Sequence, residues 1–67
     1  MKANWYIDEN EIPFRETKRL HTYAAYYHHA DTKENSWMYI ESMNQYSPGE
    51  TIQANNGIDT ITIDFEL

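Results

Sequence analysis

The sequence has no cysteine, only two glycines and only two prolines. No disulfide can staple the fold, and no thiolate can hold a metal. Gly49 and Gly57 each sit in a turn-like context, so no glycine-rich phosphate loop can be assembled. No apolar run approaches the roughly 18 residues of a membrane span. Residues 34–67 lack Lys and Arg altogether while holding Glu34, Glu41, Glu50, Asp59, Asp64 and Glu66. Acids and bases balance within residues 1–33, so the net charge of −6 belongs to the second half. An acidic field without interspersed bases repels nucleic acid and attracts basic surfaces.

What is present is a short chain rich in aromatics. Sixty-seven residues make a single compact domain, 1–67. A domain of this size buries only about 60% of the surface its unfolded chain exposes. Six Tyr, two Trp and two Phe are more than its core needs, so some Tyr are expected at the surface. Tyr and Trp there offer rigid contact area with a polar tip. The start of the chain, Met1-Lys2-Ala3-Asn4-Trp5-Tyr6, lacks the apolar core of a secretory signal. A cytoplasmic location follows as an expectation, the host cytoplasm if the protein is phage-encoded.

Ala3 to Ile7 reads as a first strand, and Asp8 to Glu11 as an acidic turn. Phe14 to Ala30 carries two competing patterns. Leu20, Tyr23, Ala24 and Tyr27 fall on one face of a helix, whereas His21, Tyr23, Ala25, Tyr27 and His29 alternate as in a strand. The helix is the expectation, with Pro13 in its first turn and His28 and His29 near its negative end. Ser36 to Asn44 reads as a strand. Pro48-Gly49 favours a type II turn, and Asn55-Asn56-Gly57 marks a hairpin. In the last strand Ile61, Ile63, Phe65 and Leu67 are expected on one face, with a bulge or register shift near Asp59 to accommodate Ile58. The expected fold is α+β, a small antiparallel sheet of three to four strands with one helix packed on it. The alternative is an all-β meander or small barrel, in which Leu20 to His29 pairs with Trp37 to Asn44.

Few constellations could carry chemistry. His21 and His28 would share a helix face near His29 and Asp31, but their spacing matches no metal motif. Asp64 and Glu66 share a strand face, yet so small a domain has little room for a cleft that would split their pKa values. Ser36, Ser42 and Ser47 lack a nucleophile elbow. Arg15, Lys18 and Arg19 would form one small basic spot, a weak footprint for nucleic acid. No cofactor, metal site or catalytic residue is expected.

Glu41, Glu50, Asp59, Asp64 and Glu66, on neighbouring strands and turns, could present spaced carboxylates to a basic groove. Tyr39, Tyr46 and Trp37 would add contact area. A second candidate is an aromatic face centred on Tyr23, Tyr26, Tyr27 and Trp37, which would bind a protein partner or a second copy of the chain.

In length, acidity, Tyr content and lack of Cys, the chain resembles the small inhibitor proteins of phages and mobile elements, the anti-CRISPR and anti-restriction proteins. The resemblance is of general character and rests on no shared motif. It implies a non-enzymatic inhibitor, in some cases a DNA mimic. Its partner would be a host protein with a basic nucleic-acid-binding groove, a nuclease or CRISPR effector. No direct contact with nucleic acid or membrane is implied.

Overall fold

The computed structural model describes residues 5–8 and 21–67. They form five strands: β1 (Trp5–Ile7), β2 (His21–His28), β3 (Asn35–Ser42), β4 (Thr51–Gln53) and β5 (Thr60–Glu66). The strands make one sheet in the order β1-β3-β2-β5-β4. β1 runs parallel to β3, and every other pair is antiparallel.

This corrects the expected helix on a sheet. No helix occurs among the described residues. His21–His28 is the central strand, paired along its length with β3 and over most of it with β5. Tyr, Thr and His are weak helix formers that suit a pleated surface. Neighbours on both sides also satisfy the backbone of this segment, so the alternating pattern wins over the helical one. Residues 14–20 of the expected helix lie outside the described residues, as do Ala3, Asn4 and Glu9 to Glu11. The pairing on which the all-β alternative depended is present, with Ala24 opposite Tyr39 and Tyr26 opposite Trp37. The parallel β1–β3 pair makes the sheet mixed rather than a meander.

Alternation divides the sheet into an inner and an outer face. Inward lie Tyr23 and Ala25 of β2, Ile40 of β3, and Ile61 and Ile63 of β5, all essentially without solvent exposure. Tyr6, Tyr27, Met38, Tyr46 and Ile52 pack around them, and buried Ala54 completes the cluster. The sheet curls over this face. Asn55, just beyond β4, donates its backbone N–H to the Tyr6 hydroxyl and its side-chain amide to the Ile7 carbonyl at 2.7 Å. The two edges of the sheet are thereby tied together around the core.

The turns follow their sequence signals with one difference. Ser47 to Glu50 closes with a bond from the Glu50 N–H to the Ser47 carbonyl at 3.0 Å, and Gly49 has φ +87°. A type II turn requires that sign of φ, which glycine adopts freely. Gly57 is likewise at φ +75°. The hairpin around it is longer than a two-residue Asn-Gly turn, because Gln53 pairs with Thr60 and residues 54–59 form the loop. Ile58 projects from that loop, 68% exposed.

The register shift in β5 lies near Asp64 rather than near Asp59. Ala25 opposes Ile63 while Ala24 opposes Phe65, leaving Asp64 as the extra residue. A one-residue insertion exchanges the faces of everything beyond it. Phe65 therefore joins the outer face, and Glu66 turns to the side of Tyr23 and His21. The expected apolar row Ile61, Ile63, Phe65 and Leu67 is broken after Ile63.

Candidate interaction face

The outer face carries the side chains that the core does not use. On β1 these are Trp5 and Ile7, and on β3 they are Trp37, Tyr39 and Glu41. β2 contributes Thr22, Ala24, Tyr26 and His28, and β5 contributes Phe65. The register sets them side by side: Trp5 against Tyr39, Ile7 against Glu41, Tyr26 against Trp37, and Phe65 against Ala24. Four rings run continuously across three strands. Trp5 meets Tyr39 at a centroid distance of 5.1 Å, Tyr39 meets Trp37 at 5.5 Å, and Trp37 meets Tyr26 at 5.6 Å. These distances lie in the favourable range for aromatic pairs, which stiffens the ladder. Even so, Trp5, Tyr26, Trp37 and Phe65 remain 44–55% exposed. Ala24, also on this face, is fully buried, so the larger side chains around it close over it. The result is a contiguous, rigid and solvent-facing aromatic surface.

Glu41 stands at one end of this ladder. It follows Tyr39 by one alternation on β3, between Ile7 and Thr22. It is half-buried, and its carboxylate makes no hydrogen bond or ion pair among the described residues. The wider setting is acidic. The described residues include one base, Lys33, against Asp8, Asp31, Glu34, Glu41, Glu50, Asp59, Asp64 and Glu66.

The acidic residues singled out in the sequence do not share one surface. Glu41 is on the outer face of β3, and Asp64 is exposed at the bulge of β5, two strands away. Glu50 lies in the β3–β4 connection, where its side chain accepts the Ser47 N–H at 3.0 Å. Glu66 faces the other way, paired with His21 at 2.9 Å. Asp59 organises the β4–β5 loop. It accepts the Ala30 N–H at 2.8 Å, the Asn56 amide at 2.9 Å and the Tyr27 hydroxyl at 2.7 Å. These donors hold its carboxyl down at about 2, the Ala30 N–H contributing most. Partial burial, reinforced by the bond to Asp59, pushes the Tyr27 hydroxyl up to about 12.

Of the aromatic candidates, Trp37 and Tyr39 belong to the outer ladder and Tyr46 does not. The Tyr46 hydroxyl donates to the buried Asp8 at 2.7 Å. Burial and that bond raise it to about 12. Asp8 also accepts the Ser42 hydroxyl at 3.1 Å, which ties the end of β1 to the end of β3. Among Tyr23, Tyr26, Tyr27 and Trp37, the register splits the proposed set: Tyr26 and Trp37 face out, Tyr23 and Tyr27 face in. Trp5 and Phe65 complete the surface and were not singled out. Trp5 shares with Trp37 the signature of large apolar side chains at every second position, Trp5 before Ile7 and Trp37 before Tyr39. Phe65 had no such signal, because its orientation depends on the bulge.

The histidines do not cluster. On a strand, His21 and His28 are an odd number of positions apart and project from opposite faces. His28 bonds to Asn35 at 2.9 Å and His29 to Ser36 at 3.0 Å. Among the described residues, no group of three His, Asp or Glu side chains is placed to hold a metal ion. The basic spot of Arg15, Lys18 and Arg19 lies outside the described residues. Comparison with family models, curated proteins and solved structures finds no match.

Proposed function

We propose that the protein is a non-enzymatic binding module that docks the outer aromatic face of its sheet on a basic protein surface. The observation that carries this reading is the ladder Trp5–Tyr39–Trp37–Tyr26. Its rings contact one another while three of the four stay roughly half exposed. Burying such rings removes large apolar area from water, and Trp and Tyr dominate the energetics of protein interfaces. The acid excess supplies the complement to a cationic partner and long-range attraction during approach. A surface of this breadth suits a macromolecule. Where the partner's basic surface is a nucleic-acid groove, as in a nuclease or CRISPR effector, occupation of that groove would make the protein a competitive inhibitor.

The test compares capture from a nuclease-rich bacterial lysate by the wild type and by Trp37→Ala/Tyr39→Ala, with and without competing duplex DNA. Circular dichroism verifies that the variant is folded. Loss of a nucleic-acid-binding protein from the folded variant, together with its displacement from the wild type by DNA, is the expected result. Equal capture by both would contradict docking through this face. Concentration-dependent dimerisation that fails in the variant would assign the face to a second copy instead.

A further inference from the structure

Resting on that reading, we infer that the outer face holds a subsite for an arginine side chain of the partner, formed by Glu41 with the ladder ring Tyr39, which Trp37 and Trp5 brace. A partly buried carboxylate normally finds a hydrogen-bond donor in place of the water it has lost. Glu41 finds none among the described residues. The groups beside it on neighbouring strands are Ile7 and Thr22, neither of which carries charge. Along β3 the next side chain on the same face is the Tyr39 ring, one alternation or about 7 Å of strand away, followed by Trp37. Tyr39 is itself braced by Trp5 on one side and Trp37 along the strand.

A cation that satisfies all of these groups must do two things. It must lie against a ring face and also donate to a carboxylate about one side-chain spacing away. A guanidinium does both. Its plane stacks on an aromatic ring, and its fork of N–H groups delivers parallel bonds to a carboxylate. A lysine ammonium can meet the charge, but it is a strongly hydrated point without a plane to stack. Arg is also the cation more often found over Trp and Tyr faces. The braced rings would meet the guanidinium with little ordering cost, since they already occupy one arrangement. The same face without Glu41 would still bind apolar and cationic groups, keeping only the smaller preference for Arg that ring stacking supplies.

The experiment uses two synthetic peptides of equal length and charge as probes, one of Arg and Gly residues and one with every Arg replaced by Lys. Each is titrated into the whole protein at about 0.15 M salt, followed by tryptophan fluorescence and by amide shifts on β1, β2 and β3. The expected result is that the Arg peptide binds about tenfold tighter. Glu41→Gln should bring the two affinities within about twofold, while Trp37→Ala should weaken both. Equal affinities for the two peptides, both lost in Trp37→Ala, would overturn the arginine subsite and leave the docking face standing. Binding indifferent to both substitutions would overturn the subsite and the face together. Absence of binding by either peptide would overturn the subsite alone, since docking of a larger folded surface does not depend on it.

Discussion

On the inner face of the sheet Tyr6, Tyr23, Tyr27 and Tyr46 each commit a hydroxyl to the fold, whereas on the outer face Tyr26 and Tyr39 commit only their rings. The inner hydroxyls engage Asn55, Asn44, Asp59 and Asp8 respectively. Tyr23 also accepts the Tyr46 N–H at 2.8 Å, so its buried oxygen both donates and accepts. Among the described residues no hydrogen bond engages the hydroxyls of Tyr26 and Tyr39. The same residue type therefore does different work on the two faces. Inside, a tyrosine fills volume and satisfies loop backbone, as a small core without disulfides needs. Outside, its area and its polar tip both remain available to a partner. Exposed aromatics are informative here because they are contiguous and braced, not because they are exposed.

Substitutions on the two faces should separate stability from binding. The largest effect is expected from Ile40→Ala on the inner face. Deleting a fully buried Ile side chain costs about 2–5 kcal/mol, a large part of the stability of so small a domain. A chemical-denaturation midpoint close to that of the wild type would break the assignment of the core. Tyr46→Phe is expected to cost about 1–2 kcal/mol by removing one donor from the buried Asp8. Urea unfolding measures this, and a neutral result would show that the Asp8 network does not depend on Tyr46.

The Tyr27–Asp59 bond sharpens the comparison through pH. Asp59 is held at about 2, below its ordinary 3.8, so its contribution is present above the ordinary value and is lost as pH falls toward 2. Tyr27 is raised from 10.0 to about 12, so its contribution is full below 10 and is lost as pH rises toward 12. Unfolding free energy of the wild type should fall at both ends relative to Asp59→Asn. Parallel pH profiles for the two proteins would contradict the bond. The smallest effect on stability is expected on the outer face, where Trp37→Ala should change the unfolding free energy by no more than about 1 kcal/mol. A larger loss would mean that the ladder belongs to the core.

Much of this division was legible in the sequence, but not all of it. The absence of bases after Lys33, the Pro48-Gly49 turn and the hairpin at Gly57 were visible as residues. The placement of Trp37 and Tyr39 on one strand face followed from alternation. The segment from His21 to His28 misled because Leu20, Tyr23, Ala24 and Tyr27 imitate a helical stripe. Its strand identity is decided by the neighbours it pairs with, β3 across a short turn and β5 far along the chain. Phe65 misled for another reason. Its alternation with Ile61 and Ile63 is regular, and only the extra residue at Asp64 sends it outward. Asp59 and Tyr46 looked like surface residues because composition does not reveal which carboxylate or hydroxyl will be claimed by a loop. The bulge and the loop contacts are tertiary effects, and no local pattern encodes them.

The most direct test of the outer face as an interface is the affinity of the captured partner for Trp5→Ala/Trp37→Ala, measured beside that variant's unfolding midpoint. Binding weakened by about tenfold or more, with a midpoint near that of the wild type, is the expected result. Wild-type affinity in the folded double variant would contradict an interface built on the ladder.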